Sequence, residues 1–201
     1  MGLLTLVITK VKVEKSKMIN FLEISYLKSG NERQQKAYHL LVANQILEKL
    51  VSFTPILVGT IPINIDIPGS DLDIICYVNN EEEIVNTLQI HFKNEKDFAI
   101  SKNEKFNSIK ANFFIQDFEF EIFGQDIPTQ QQNAYRHMLI EYKLLLEKGE
   151  QFRLKVIELK KQGYKTEPAF ARLLNLQGDA YEELLKLEVL SWLSLPDAKQ
   201  S

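Results

Sequence analysis

The sequence predicts an α/β first part followed by a helical bundle, on three observations. Short apolar runs of strand length recur at 55–58, 71–78, 97–101, 108–115 and 118–123, separated by turn-forming residues. A helix-period pattern at 32–51 precedes them. Beyond Pro128 the chain turns wholly helical in pattern, with Gly149, Gly163 and Gly178 as punctuation. No internal repeat or low-complexity tract is present.

In chain order, residues 1–17 end in a lysine-rich stretch before Met18 and read either as a flexible leader or as an over-long start. Asn31 is placed to cap the helix at 32–51, where Leu40, Ala43, Leu47 and Leu50 share a face. Pro55-Ile56-Leu57-Val58 is a short strand ending at Gly59. Pro62, Pro68 and Gly69 make 61–70 a loop. Asn80 with Glu83 forms a capping box that opens a helix running to about Phe92. Gln116-Asp117 is placed as the hairpin turn between the last two strands. Helices follow at about 129–147, 150–162, 167–176 and 179–192, with Thr166 as a cap. The expected domains are 18–127, α/β, and 128–195, helical.

Composition sets bounds on function. The 201 residues are 45% hydrophobic and 25% charged, with a formal net charge of -3, which suits a soluble globular chain with a sizeable core. A slightly acidic balance argues against nucleic-acid binding driven by net charge, while leaving room for a local basic groove. Cys76 is the single cysteine, so no internal disulfide forms and a reducing, cytoplasmic setting fits. Its apolar run makes it a core residue. The apolar start Gly2–Ile8 is too short to span a bilayer, so no membrane is expected among the partners.

Chemistry concentrates in one segment. Gly59-Thr60 is followed, ten residues on, by Ser70-Asp71-Leu72-Asp73 and the apolar run Ile74–Val78. A glycine turn lets backbone N–H groups approach phosphate oxygens. Two carboxylates two residues apart on a strand point the same way and can share divalent metals. By the same parity Leu72, Ile74, Cys76 and Val78 form an apolar face, as do Phe118, Phe120 and Ile122. If the two strands are neighbours, both apolar faces pack on the same helices. Asp71, Asp73 and one or both of Glu119 and Glu121 then converge on the other face. Three crowded carboxylates repel one another unless a divalent cation neutralises them.

This pattern resembles the nucleotidyltransferase superfamily with the polymerase-beta-like fold: a glycine–hydroxyl turn, about ten residues, Asp-hydrophobic-Asp, then a later third carboxylate. Leu57–Ile63, Gly69–Cys76, Glu121-Ile122-Phe123-Gly124-Gln125 and Ala134-Tyr135-Arg136-His137-Met138 are similar to an uncharacterised bacterial family within it. The resemblance implies an α+β fold, a nucleotidyltransferase-like mixed sheet with flanking helices and a C-terminal helical bundle. It implies that Gly59, Thr60 and Ser70 hold the nucleotide phosphates. Asp71, Asp73 and Glu121 become the catalytic carboxylates and ligands of Mg²⁺ or Mn²⁺, with Glu119 the alternative third acid. Thr60 stands where serine is usual, and Glu121 where aspartate is common.

One feature of the charge pattern opposes this. No lysine or arginine occurs from Val51 to Val78, although a nucleoside triphosphate brings about four negative charges. Arg136, Lys143, Lys110 and Arg33 are the candidate cations. His137 and Glu141, one helical turn apart, can pair or wall a pocket. Asp66 is a loop residue or a fourth acid, and Gln125 and Gln131 are polar candidates for reading a base or an acceptor. The expected activity is transfer of a nucleoside monophosphate from the triphosphate to an unknown acceptor, whether small molecule, nucleic-acid end or protein. Its rivals are a catalytically inactive nucleotide-binding or partner-docking module on the same fold, and a phosphoester hydrolase.

Overall fold

A computed structural model describes residues 19–104 and 107–192; the leader expected at 1–17 lies outside them. Among the described residues five strands form one sheet: β1 (Ile56–Val58), β2 (Leu72–Tyr77), β3 (Lys96–Asn103), β4 (Ser108–Ile115) and β5 (Phe118–Gln125). The spatial order is β1-β2-β5-β4-β3. β2 and β5 run parallel, and every other neighbouring pair is antiparallel. This is the mixed α+β sheet that the resemblance implies. Gln116 supplies the positive φ (55°) of the β4–β5 turn, a left-handed conformation that costs a non-glycine residue about 1–2 kcal/mol.

The described residues form seven α-helices: α1 (Glu32–Ala43), α2 (Ile46–Lys49), α3 (Glu81–Phe92), α4 (Asn133–Lys148), α5 (Glu150–Lys161), α6 (Thr166–Leu174) and α7 (Ala180–Trp192). α1 opens on a reciprocal capping box, Asn31 Oδ1 accepting from Gln34 N and Gln34 Oε1 from Asn31 N, both at 2.9 Å. The single helix expected over 32–51 is broken. Asn44 Nδ2 donates to Leu40 O at 2.8 Å, and Gln45 turns left-handed at φ 52°. The reason is the phase of the apolar stripe. Leu41 and Ile46 are both buried but lie about 140° apart on a continuous helix, so the chain must turn to bury both.

Two more boundaries move. Thr129–Gln131 is a 3-10 turn, and α4 begins only at Asn133. The cause is Gln132, whose Nε2 donates to Cys76 O at 2.9 Å and Ile127 O at 2.8 Å; these bonds hold it extended and tie the helix start to the end of β2. Thr166 is the first residue of α6 and Lys165 its cap position. Pro168 fits this first turn because an N–H there has no intrahelical partner.

The sheet has two packed faces. Leu72, Ile74, Cys76, Phe118, Phe120 and Ile122 share one core with Leu40 and Leu41 of α1 and Ile84, Leu88 and Phe92 of α3. On the other face Ile56, Val58 and Ile75 pack against Tyr135 and Met138 of α4. The helical half therefore covers the β1 side of the acidic face and leaves a gap beside it. Among the described residues no helix is long and apolar enough to cross a membrane.

Candidate functional site

That gap is a cleft of about 760 Å³, lined on the sheet side by Gly59, Thr60, Ser70, Asp71, Asp73 and Glu121. Sequence reasoning selected all six. Gly59 ends β1 at φ +84°, and a Cβ on it would collide with Asp73 Oδ2 and stand 3.1 Å from Asp73 Cγ. The missing side chain is therefore what lets the turn lie against the carboxylate. Antiparallel β1–β2 pairing sets Val58 opposite Asp73. Parallel β2–β5 pairing sets Asp73 opposite Glu121. These two registers bring residues nearly fifty positions apart together.

The loop over 61–70 is fixed at several points. Thr60 Oγ1 donates to Ser70 Oγ at 3.4 Å, and Ser70 Oγ accepts from Ile67 N at 3.0 Å. Gln34 Nε2 donates to Ile61 O and Pro62 O at 2.9 and 3.1 Å. Arg33 Nη2 donates to Ser70 O at 2.7 Å, with its guanidinium over the Phe118 ring at 4.6 Å. Its Nε stands 3.3 Å from Asp66 Oδ2, an ion pair out of line for a hydrogen bond. Arg33 and Asp66 thus brace the loop from behind, and neither lines the cleft.

The other candidates divide. Glu119 does not line the cleft; its Oε1 accepts from Asn112 Nδ2 at 3.1 Å. Arg136 is also away from the cleft lining, with Nη1 donating to Asn133 Oδ1 at 3.2 Å. Lys143 faces Glu147 at 3.8 Å. Lys110 reaches the acids, donating to Glu121 Oε2 at 2.9 Å. Gln125, Gln131, His137 and Glu141 line the cleft. His137 does not pair with Glu141 as the helical spacing suggested; its Nε2 meets Tyr181 O at 2.9 Å and its Nδ1 stands 3.7 Å from Glu167 Oε1.

Residues 26–187 match the family described as a domain of unknown function, DUF4269. The chain belongs to the DUF4269 family. A comparison with curated proteins finds no match. Solved structures similar to this DUF4269 domain include the Cid1 poly(U) polymerase with Mg 3′-dATP bound, at 12% identity and TM-score 0.51. Another, at 12% identity and TM-score 0.50, was described for the activity of a cytoplasmic RNA terminal U-transferase. Each match covers 65% of this chain and 41% of the other, so the chain spans well under half the length of these proteins. At such identity the likeness is one of fold, and that fold is nucleotidyltransferase-like.

Electrostatics in the DUF4269 cleft are strained by like charges. Burial, together with repulsion from Asp71 and Glu121, pushes the Asp73 carboxyl up to about 8 against the pull of Lys160 and Lys110. Burial likewise raises Asp71, with Glu121 adding to it. The Glu121 hydrogen bond raises Lys110. An all-carboxylate donor set under mutual repulsion suits a hard divalent cation such as Mg²⁺. As the side chains stand, however, no group of three or more His, Cys, Asp or Glu among the described residues is drawn together closely enough to hold a metal ion. Lys110 occupies one oxygen of Glu121.

Sequence reasoning missed Lys160. It lines the cleft from α5, is only 7% exposed, and donates to Ile65 O at 2.9 Å. Burial lowers its pKa, while Glu141, Asp66, Glu167 and Asp73 pull it back up. The signal was available: Lys160 falls one turn after Val156 on the buried stripe of α5, where a lysine needs a partner. Lys165, Thr166 and Glu167, at the start of α6, also line the cleft. They carry no motif, and only the packing of α6 brings them there.

Proposed function

We propose that this protein is a nucleotidyltransferase that moves a nucleoside monophosphate from a nucleoside triphosphate to a hydroxyl-bearing acceptor. The observation that carries the reading is the glycine turn seated against Asp73, with Glu121 beside it in strand register. In the reaction the acceptor oxygen forms a bond to the α-phosphorus. The bond from that phosphorus to the bridging oxygen breaks, pyrophosphate leaves, and the hydroxyl proton passes to a carboxylate of the cleft, for which Glu121 is placed. Gly59 and Thr60 would hold the phosphates on backbone N–H groups and a hydroxyl. Lys160 is the buried cation toward them. Asp71, Asp73 and Glu121 would hold Mg²⁺ or Mn²⁺, with Glu121 first released from Lys110. When bound, the metal neutralises carboxylate and phosphate charge and lowers the pKa of the acceptor hydroxyl. The helical side of the cleft would take the acceptor, whether small molecule, nucleic-acid end or protein side chain.

One observation favours the second reading, a nucleotide-binding module without chemistry: Lys110 already neutralises Glu121. The two readings separate when the full chain is given each of ATP, GTP, CTP and UTP with Mg²⁺ and a mixed acceptor panel. The enzyme releases pyrophosphate and labels an acceptor. Asp71→Asn and Asp73→Asn, near-isosteric changes that remove a charge, should each cut that release by about a thousandfold or more, roughly 4 kcal/mol of barrier, with unchanged circular dichroism. Full activity in either variant would sink the mechanism. Magnesium-dependent nucleotide binding without pyrophosphate release would support the binding module.

A further inference from the structure

The inner end of the cleft holds polar groups that the transfer centre does not use. Glu141 is 4% exposed and lines the cleft, yet its Oε1 has no hydrogen-bond partner. Lys160 pulls on it through its charge, while the hydrogen bond seen from its Nζ goes to Ile65 O. Glu167 lines the same end of the cleft and adds its repulsion to Glu141.

His137 lies on α4 one turn before Glu141, with its ring toward α6 and α7. The Tyr181 carbonyl can only accept, so the ring nitrogen 2.9 Å from it, Nε2, carries a proton. In a neutral ring Nδ1 is then a lone pair, and it faces Glu167 Oε1 at 3.7 Å. Glu141 Oε1 is therefore a buried acceptor without a donor, and Glu167 and the neutral ring's Nδ1 bring it further acceptors and no donor. A buried acceptor left in this state is costly, and a ligand that brings donors relieves it.

We propose that Glu141, Glu167 and His137 form the acceptor subsite, and that the acceptor is a small molecule bearing a protonated amine as well as its hydroxyl. The inference rests on the transferase reading for the role of the hydroxyl, but not for the binding of the amine. An ammonium group supplies three N–H donors and a positive charge, matching the deficit in both respects. Charge argues against a nucleic-acid end as the acceptor. Across the cleft, Asp71, Asp73, Glu121, Glu141 and Glu167 face only Lys160 and Lys165 among the described lining residues. A nucleic-acid end would bring its phosphates against Glu141 and Glu167 with no cationic track to receive them.

Glucosamine and glucose, which differ in a single amine-for-hydroxyl exchange, test this directly on the full chain. Binding is read first by saturation-transfer NMR, without metal or nucleotide. Glucosamine should bind at least tenfold more tightly than glucose. Glu141→Gln should remove most of that preference, Glu167→Gln should reduce it, and Asp73→Asn should leave it in place. Equal responses to the two sugars, or a preference unchanged in Glu141→Gln, overturn the proposal.

Transfer is read second, with Mg²⁺, labelled nucleotide and either sugar or a short oligonucleotide. A Glu141-dependent amine preference without transfer supports the subsite and counts against the transferase. Efficient labelling of the oligonucleotide, indifferent to Glu141→Gln, keeps the transferase and overturns the subsite.

Discussion

Gly59 and Asp73 have to be considered as one unit. The glycine combines a backbone at φ +84° with a surface on which a Cβ would collide with Asp73. Strain from the dihedral alone is worth about 1–3 kcal/mol in a non-glycine residue, and the collision adds to it or displaces the carboxylate. Gly59→Ala should therefore lower stability by about 2 kcal/mol in urea unfolding, with transfer lost beyond what stability explains. A Gly59→Ala protein with wild-type pyrophosphate release would show that the close approach of turn and carboxylate has no role. Gly69, also at positive φ (+87°), meets nothing within 4 Å. An alanine there carries the dihedral strain but leaves the site intact, so it is the control.

At the scale of elements, what was legible in the sequence and what was not divide along physical lines. Strand parity was legible because it depends only on local alternation. Ile74 and Ile122 fall on the core face, while Asp73 and Glu121 fall on the other and meet in register. Charge alone did not separate Glu119 from Glu121; the cross-strand partner does, since Asn112 takes Glu119. Arg136 was a candidate cation for the triphosphate, but the rotation of α4 is set by Gln132 and Tyr135 and leaves Arg136 off the cleft. Lys160 could be placed on the buried stripe of α5 from the sequence, but its partner could not, because the Ile65 carbonyl is 95 residues away. It joins α5 to the 61–70 loop that ends at Ser70. Lys160→Met keeps the apolar stem and removes the ammonium. The lost hydrogen bond and the relieved burial of charge oppose each other at about 1–3 kcal/mol each. Stability should then change by less than about 1 kcal/mol, while transfer falls about tenfold or more, a barrier increase of about 1.4 kcal/mol. A stable variant with undiminished transfer would remove Lys160 from the site.

At the scale of the whole molecule the apolar packing covers both faces of the sheet, and two of the four buried side-chain atoms left without a hydrogen-bond partner among the described residues, Gln132 Oε1 and Glu141 Oε1, belong to residues that line the cleft. Marginal stability makes such an arrangement visible in bulk unfolding. Glu141 is the clearest case: burial holds its carboxyl well above the ordinary 4.5, Glu167 pushes it further up, and Lys160 pulls it back. The groups packed around it are His137 on α4, Lys160 on α5 and Glu167 on α6. Because its folded value is raised, the folded chain keeps a proton that the unfolded chain releases. The stability this contributes is complete below the unfolded value of about 4.5 and is lost as pH rises through the folded value, at up to about 1.4 kcal/mol per pH unit. Asp73 acts on the same curve, so the wild type alone does not isolate Glu141. Glu141→Gln does, since Gln cannot ionise and the other groups remain. Urea unfolding of the metal-free chain from about pH 5 to about pH 8 should show the variant gaining on the wild type as pH rises, and exceeding it at the alkaline end. Parallel curves would mean that Glu141 is compensated in the folded chain, and the acceptor deficit assigned to the inner cleft would disappear with it.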